Sequence, residues 1–521
     1  MATTAAPPAP GLAKKRYEAL KGKRSNVLTQ AREASRLTIP GLIPEEGQSD
    51  PHGATEQPYT SNGARFVNNV SAKLLLTLFP PERPFFKPAI SPDVAEQMGA
   101  GLGQANEALA TIAVQAMVIA DASMARTIWM EALRHLVVAG NALVYQPDNG
   151  DQLRLWRLDQ YVVVRGRNGV LREAVVRDEI LPSELSEEVR TACNVEYDPA
   201  KPEKDDPVEL FTRVYLDGDN VRHYEEINSV VVPGSEGSVA QKSSGWQALR
   251  WQAVPGSHYG RSYVTEYAGD FLSLEDASKS ILKFAIEAAR IIRLVNPNAG
   301  VDVEELAKAE SGDWLHGMRD QVQTLQLEKN SDFQIVWHMA ESIERRLAQA
   351  FLITTNSIRD AERVTAEEIR AIAQELEDAL GGTYTVLSSE VQRPYAQRLL
   401  YILSRQGKAP PLPDSVEIKI VTGFTALGQN HESVALRTWL QAMIDIFGQG
   451  WVAQNVDGNE VALRLGVSQG VVDVEKLLKS PDTVAKETQQ GALTEGAIRA
   501  APQIAQGVMN AAAAPDQGAP A

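Results

Sequence analysis

Apolar residues recur every three or four positions along two neighbouring stretches between residues 332 and 403, which is the spacing of one face of an α-helix. The first stretch carries Phe333, Val336, Trp337, Ala340, Ile343, Leu347 and Phe351. The second carries Ile369, Ile372, Leu376, Leu380, Tyr384, Leu387 and Val391. The pattern predicts two amphipathic helices joined by a polar loop at residues 354–363.

The second of these helices has a clear start signal and two points of weakness. Thr365 can cap the free backbone N–H groups, and Glu368, three residues later, completes a capping box. The pair Gly381-Gly382 interrupts the apolar stripe, so we expect a kink there. Pro394 lacks a backbone N–H group, which bends or ends a helix.

The chain before residue 262 is predicted to contain helices followed by a β-rich section. The helices are expected at residues 12–37, 64–78, 93–118 and 122–138. Alternating apolar residues around turn sequences then predict two β-hairpins. Their strands are expected at residues 161–164 with 170–176, and at residues 208–216 with 221–226, and short strands continue over residues 230–254.

A long helix is predicted next, at residues 262–294, where it would extend for roughly 50 Å. Its apolar stripe is Val264, Tyr267, Phe271, Leu274, Ile281, Ala285, Ala288 and Ile292. Residues 322–327 alternate as a half-buried strand does. Because the insert between this helix and the one starting near Asp332 is short, the two helices can lie antiparallel.

The C-terminal part of the chain is predicted to be less regular. A proline-rich linker at residues 407–413 precedes a strand at 416–421 and several short helices over 427–478. Residues 1–11 and 490–521 have the composition of disordered ends. The predicted fold class is therefore α+β, mainly α.

Composition and charge exclude several classes of protein. The only cysteine, Cys193, excludes a disulfide framework within the chain. No apolar run reaches the roughly 18 residues that a membrane span needs, and the first basic residues follow an Ala/Pro stretch, unlike a secretory signal. We therefore expect no membrane partner. The net charge of −16 argues against a conventional nucleic-acid-binding surface but is compatible with DNA sliding past an acidic wall.

No motif predicts a catalytic, cofactor or metal site. The glycines at 99, 101 and 103 do not follow a strand or match a phosphate-binding spacing. His316 and His135 have acidic neighbours, but these are expected by chance in a chain with 67 acidic residues. Helix capping explains the pair Glu367-Glu368, and a solvated loop explains Asp205-Asp206. The Trp and Tyr residues have spacings that favour core positions.

Two groups of basic residues each have two interpretations. Lysines and arginines on one face of the first helix favour a solvated surface, with contact to capsid or DNA as the alternative. They are Lys14, Lys15, Arg16, Lys21, Lys23, Arg24, Arg32 and Arg36. Arg359 and Arg363 can form surface ion pairs with Asp360 and Glu362. Their second interpretation comes from a resemblance.

Seven segments, in order, resemble the head-to-tail connector, or portal, family of short-tailed double-stranded-DNA bacteriophages. They are LTIPGLIP at 37–44, GARFVNNVSAKLLLTLFPP at 63–81, EALRHLVVAGNALVY at 131–145, YGRSYVTEYAGD at 259–270, LEKNSDF at 327–333, ERVTAEEIR at 362–370 and ELEDALGG at 375–382. The resemblance covers roughly residues 12–428. Ordered agreement over several segments is more specific than any single short motif.

The resemblance implies a portal fold with wing, stem, clip and crown, assembled as a closed ring of usually twelve copies. It implies a wing at 12–261 with a β-rich section at 140–258, stem helices at 262–296 and 332–352, a clip at 297–331, a channel loop at 353–364, a long kinked wing or crown helix at 365–405, and a crown at 406–489. The channel loop would place Ile353, Thr354, Asn356, Arg359 and Arg363 at the narrowest point of the bore.

The implied function is to form the ring at one capsid vertex through which double-stranded DNA is packaged and ejected. The implied partners are other copies of this chain, the terminase large subunit, the major capsid and scaffolding proteins, and tail adaptor and internal core proteins. No cofactor is implied, because ATP hydrolysis would belong to the terminase. The expected location is the virion, and the host cytoplasm during assembly. The alternative is an internal virion or scaffolding protein without a DNA channel.

Overall fold

Helices make up most of the regular structure in the computed structural model of this chain. The structure describes residues 9–47, 56–81, 84–98, 102–201, 205–289, 292–296, 303–314, 322–325, 330–353, 372, 375–376, 379–413, 415–421, 424–458, 460–462 and 465. Its helices are α1 (Leu12–Leu37), α2 (Asn62–Leu78), α3 (Pro92–Met98), α4 (Leu102–Ala122), α5 (Ala125–Ala139), α6 (Glu187–Ala192), α7 (Tyr263–Glu266), α8 (Ala268–Ala289), α9 (Val303–Lys308), α10 (Asn330–Ala350), α11 (Gly382–Leu387), α12 (Arg393–Arg405), α13 (Phe424–Phe447) and α14 (Gln449–Asn455).

Eleven of the fifteen strands in the described residues lie between α5 and α7. The fifteen strands are β1 (Phe86–Ile90), β2 (Asn141–Tyr145), β3 (Arg154–Trp156), β4 (Tyr161–Arg165), β5 (Leu171–Ile180), β6 (Val208–Asp217), β7 (Asn220–Ile227), β8 (Val230–Val231), β9 (Gly237–Ala240), β10 (Trp246–Arg250), β11 (Gln252–Ala253), β12 (Gly260–Arg261), β13 (Ile292–Val295), β14 (Val322–Leu325) and β15 (Val416–Ile420). Together with the helices they confirm the predicted class, α+β and mainly α.

Antiparallel pairing organises the β-rich section, as the two predicted hairpins require. One sheet has the order β4-β5-β6-β7-β8, with β9 also paired to β7. The hairpin of β6 and β7 turns at Gly218-Asp219, where Gly218 has a φ of 61°. A positive φ suits glycine, because it has no Cβ to clash. The second sheet has the order β10-β2-β3.

The chain divides into two compact units, residues 1–424 and 425–521. The largest core of the first unit lies around α2, α5, α10 and α12 and includes Phe66, Trp129, Leu347 and Tyr395. α1 packs on the large sheet through Tyr17 and Leu20. β15 pairs with β1, so residues 416–420 belong to the first unit. In the second unit, the structure describes α14 and nearly all of α13.

Three predicted helices have different limits in the structure. The predicted helix at 93–118 corresponds to α3 and α4, on either side of residues 99–101. The helix predicted for 262–294 ends at Ala289, and residues 292–295 form β13, which pairs with β14. The stem helix predicted for 262–296 was therefore too long, because β-branched Ile292 and Val295 have a strand partner that the sequence of one helix does not reveal. The short helices predicted after 427 begin instead with the 24-residue α13.

The predicted kink and the predicted effect of Pro394 are both visible. Gly381 has a φ of 50°, which interrupts the helix before α11. Ser388–Gln392 then form a turn of π-helix, and Pro394 lies in the first turn of α12. A proline cannot donate to the carbonyl four residues before it, so the helix widens at this point and continues. The predicted capping pair, Thr365 and Glu368, lies outside the described residues.

α8 and α10 form an antiparallel pair, as the short insert predicted. Asp270 near the start of α8 is 2.8 Å from Arg346 near the end of α10. Phe284 near the end of α8 stacks on Phe333 near the start of α10, with ring centres 4.7 Å apart. The antiparallel strands β13 and β14 extend this pair beyond the helix ends.

Among the described residues, no single helix is both long and apolar enough to cross a membrane. Residues 108–122 and 125–139 reach that length and composition only when taken together, and they meet at 74°.

Candidate functional site

Of the five predicted channel residues, the structure describes only Ile353, at the point where α10 ends. Thr354, Asn356, Arg359 and Arg363 lie outside the described residues. The described site is therefore the root of the predicted loop: the end of α10 together with the groups of other helices that contact it.

The end of α10 has a defined capping geometry. Leu352 is left-handed, with a φ of 57°. Its N–H donates to the carbonyl of Gln349 at 3.1 Å, and the Ile353 N–H donates to that of Ala348 at 2.7 Å. These two bonds make a Schellman motif, which usually has glycine at the left-handed position. A leucine there costs roughly 1–2 kcal/mol, so surrounding contacts must hold it.

Side chains from α2 and α7 satisfy the last carbonyl groups of α10. The Tyr263 hydroxyl donates to the carbonyl of Ala350 at 2.7 Å. Burial, with a smaller effect of neighbouring Tyr267, raises the pKa of Tyr263, so the hydroxyl keeps its proton. The Asn69 amide donates to the carbonyls of Phe351 and Leu352 at 2.9 and 3.0 Å. A helix end with its free carbonyls paired in this way resists fraying.

Lys73 gives this site its charge and connects it to the chain beyond residue 371. Its Nζ donates to the carbonyl of Leu352 at 2.8 Å and lies 2.7 Å from an Oε of Glu375. The Lys73 side chain is 4% exposed and that of Glu375 is 29% exposed. A cation at the carboxyl end of a helix is favoured by the helix dipole.

Aromatic rings fix the helix end from the other side. Phe351 is fully buried, and its ring centre lies 4.9–5.8 Å from those of Tyr263, Tyr267, Phe271 and Phe66. Aromatic pairs at these distances add about 0.5–1.5 kcal/mol each beyond area burial. The root of the predicted loop is thus held by packing, hydrogen bonds and one ion pair.

No pattern in the sequence predicted a functional role for Asn69, Lys73 or Tyr263. A signal existed, because Asn69 and Lys73 are four residues apart and lie on one side of a helix, each directly before a buried apolar residue, Val70 and Leu74. Two polar side chains on the buried side of an apolar helix require hydrogen-bond partners. The sequence does not show which partners they have.

A second feature is a set of exposed apolar side chains on α8 and α10. Leu282 and Ile286 on α8, and Ile335, Trp337 and Met339 on α10, are each 48–67% exposed. The predicted stripe of α10 is therefore confirmed for Ala340, Ile343 and Leu347, which are buried, but is wrong for Trp337. The core position predicted for tryptophan is also wrong for Trp314, Trp439 and Trp451.

Several basic residues of α1 form ion pairs or hydrogen bonds with other parts of the chain. Arg16 pairs with Glu173, Lys14 contacts Glu209 at 2.9 Å, and Arg24 is buried and donates to the carbonyl of Tyr161. Lys15, Lys21 and Lys23 are exposed. Three of the eight basic residues of α1 thus contact the β-rich section.

The described residues contain no group of three side chains able to hold a metal ion. His135 is buried in α5, and burial, then the positive charge of Arg157, lower its pKa to about 4. Glu131 pairs with Arg134. His316 lies outside the described residues.

Comparison with known proteins identifies the family. Residues 11–472 match the family described as bacteriophage head to tail connecting protein. The portal protein of Escherichia phage T7 is 34% identical over 513 residues, covering 95% of this chain and 93% of that protein. The portal protein of Enterobacteria phage T3 is 35% identical over 514 residues, covering 96% and 92%.

The neck of an empty GTA particle aligns over 78% of this chain and 90% of that chain, with a TM-score of 0.38 and 12% identity. The family match extends over most of the sequence, and the two phage relatives exceed 30% identity across almost the whole chain. This chain belongs to the bacteriophage head-to-tail connecting protein family.

Proposed function

We propose that this chain is a phage portal protein, one subunit of the ring at a unique capsid vertex through which double-stranded DNA is packaged and later ejected. The observation that carries the proposal is the nearly full-length relationship to portal proteins. No ATP-binding loop occurs in the sequence, and in this proposal the energy for packaging comes from a separate motor, the terminase.

The exposed apolar surface of α8 and α10 supports assembly into a ring. Ile335 and Met339 lie four residues apart on the same side of α10 and are 67% and 62% exposed. Exposed apolar surfaces of this kind mark protein contacts. In a closed cyclic assembly every contact between neighbouring subunits is equivalent. Each subunit therefore has this surface covered by its neighbour. We assign this contact to a second copy of the chain.

The net charge is compatible with passage of DNA without tight binding. A surface that contacts 6–10 phosphates through basic groups binds DNA non-specifically with a dissociation constant of about 10⁻⁴–10⁻⁶ M. An acidic wall repels the duplex instead, and screening limits that repulsion to about 8 Å at physiological salt. Where acidic residues of a chain with a charge of −16 line the bore, they would centre DNA in it.

We assign the wing to residues 12–261 and the stem to α8 and α10 with their immediate flanks. We assign the clip to residues 297–331, which contain β14, while its partner β13 lies just before them. We limit the crown to residues after 424, because the strand at 416–420 pairs with β1 in the first unit. The wing, stem and clip follow the family resemblance, and the observed helices and strands set the limits of the stem and the crown.

The proposed partners follow from the place of a portal in a particle. They are the terminase large subunit during packaging, the major capsid and scaffolding proteins during head assembly, and tail adaptor and internal core proteins in the virion. In this proposal the ring nucleates head assembly in the host cytoplasm and remains at the neck of the virion.

The oligomeric state tests the proposed function directly. Purified full-length protein should form closed rings, and twelve copies of a 56.8 kDa chain weigh roughly 680 kDa. Light scattering gives the mass, and end-on electron micrographs show the central opening. A monomer or an open polymer would contradict the portal assignment and favour a scaffolding or internal virion protein.

We further propose that Ile353, Thr354, Asn356, Arg359 and Arg363 line the narrowest part of the channel. Twelve copies of one arginine would form a ring of charge at one height, able to contact phosphates of the passing duplex. The described root at Leu352 supports this, because it fixes where the segment leaves the folded body.

Replacing these arginines tests the channel proposal. Arg359→Ala and Arg363→Ala should each lower the yield of particles that retain their genome by roughly tenfold, the change that about 1.4 kcal/mol of lost phosphate contact produces. Complementation of a portal-deficient phage, followed by measurement of DNA per particle, gives the result. Arg345→Ala, at an exposed position on α10, is the control. Unchanged genome retention in both single variants would refute the proposal.

A further inference from the structure

A single buried ammonium group contacts the residue just before the proposed channel loop, residues 353–364, and a residue eleven positions after it. Lys73 Nζ lies 2.8 Å from the carbonyl oxygen of Leu352, the last residue before Ile353. The same nitrogen lies 2.7 Å from the carboxylate of Glu375, more than twenty residues further along the chain. Both ends of residues 353–375 are therefore held within 3 Å of one atom.

The helix that carries Lys73 is a rigid support. Phe66, Val67, Val70 and Leu74 on α2 are each at most 1% exposed and belong to the largest core. A lysine side chain anchored in such a helix, itself 4% exposed, has few positions available to its ammonium group. Lys73 therefore provides a fixed point rather than a mobile surface charge.

Ordinary capping of α10 does not require Lys73. A lysine near the end of a helix often satisfies a terminal carbonyl. Here, however, the Asn69 amide already donates to the carbonyls of both Phe351 and Leu352. The contact that Lys73 alone supplies is the ion pair with Glu375. Its contribution is thus to connect the two ends.

We infer that Lys73 is a positioning residue, which holds the residue before the channel loop and the chain at Glu375 at one point on α2. The inference rests on the proposed function for the meaning of that segment. The contacts from which it is argued join described residues only: Asn69, Lys73, Leu352 and Glu375. Loss of the ion pair releases the Glu375 end, while Asn69 keeps α10 capped.

Hydrogen exchange on the assembled full-length protein measures the structural part of this inference. The amides of Leu352 and Ile353 are protected by the two bonds that close α10. In Lys73→Met and in Glu375→Gln, peptides covering residues 372–380 should exchange roughly tenfold faster, because the chain at Glu375 loses its contact with α2, while peptides covering residues 345–353 stay protected by Asn69. The double variant should exchange no faster than either single variant, since both remove one shared contact.

Three controls keep the result interpretable. Glu341→Gln removes an exposed ion pair with Arg345 on the same helix and should leave exchange unchanged. Lys73→Arg keeps a cation that can reach both partners and should restore protection. Glu375→Gln leaves α2 and Asn69 intact, so it tests the inference even where Lys73→Met fails to fold.

Genome retention in complemented phage gives the functional readout, and ring mass separates the two proposals. Lys73→Met and Glu375→Gln should assemble rings of unchanged mass yet retain the genome in severalfold fewer particles. Absence of a ring for the unaltered protein would overturn the portal proposal itself. Normal rings with normal exchange and retention in both variants would overturn the role of Lys73 alone, as would strictly additive effects in the double variant.

Discussion

His135 illustrates how a residue with an apparent chemical signal can have a structural role. Its acidic neighbour Glu131 pairs with Arg134, and the imidazole of His135 is buried on the core side of α5. No hydrogen-bond partner of Nδ1 is present among the described residues. Burial lowers the pKa of His135 to about 4, with Arg157 as the next cause, so the ring is neutral at pH 7.

This pKa predicts a pH dependence of stability. The unfolded chain binds a proton at His135 near pH 6.5, and the folded chain only near pH 4. The stability due to the neutral ring is therefore complete above about pH 6.5 and is lost as pH falls towards 4, by up to about 3 kcal/mol.

Urea unfolding at pH 7 and pH 4.5 measures this effect. His135→Gln should show a smaller loss of unfolding free energy between the two pH values than the unaltered chain shows. His338→Gln, at an exposed position on α10, should leave the difference unchanged. Equal pH dependence in the His135 variant and the unaltered chain would disprove the predicted shift.

The sequence predicted the position of the candidate site but not the residues that hold it. The end of α10 was predicted from the apolar spacing that ends at Phe351, and the structure confirms it within a residue. Asn69, Lys73 and Tyr263 act through partners distant in sequence: 279 residues separate Lys73 from Leu352. Local periodicity contains no information about such pairs, so only the folded chain reveals them.

At the scale of elements, patterns that repeat within one segment were predicted well. The buried part of the α10 stripe, at Ala340, Ile343 and Leu347, and both hairpins follow from spacing alone, because each buries its apolar face against an adjacent element. The end of the helix near Ala289 was missed, since β13 exists only through pairing with β14. β1 was missed for the same reason: its partner β15 is more than 300 residues away.

The π-helical turn at 388–392 shows a different limit. Sequence analysis correctly located a disturbance at Pro394, yet a proline can end, bend or widen a helix. Here Leu399, Ile402 and Leu403 of α12 are fully buried, so continuing the helix keeps their contacts in the core. Burial of this apolar surface favours a widened turn over a break.

At the scale of the whole molecule, the exposed tryptophans show that an apolar residue need not be buried within its own chain. Four of eight tryptophans, at positions 129, 156, 246 and 251, are buried in the first unit. Trp314, Trp337, Trp439 and Trp451 are 42–99% exposed. Sequence spacing marks a residue as apolar but does not distinguish a core within one subunit from a contact between subunits.

The apolar surface of α10 provides the last prediction, which concerns assembly. Met339→Lys and Ile335→Lys should change the stability of the unassembled subunit by no more than about 0.5 kcal/mol, because both side chains are largely exposed there. In a ring the same substitution places an ammonium group in every subunit contact, at a cost of several kcal/mol each. We therefore expect monomers in place of rings, measured by light scattering, while Met339→Leu keeps the apolar contact and the ring mass. Rings of unchanged mass and unchanged denaturant resistance in both lysine variants would show that neighbouring subunits meet through another surface.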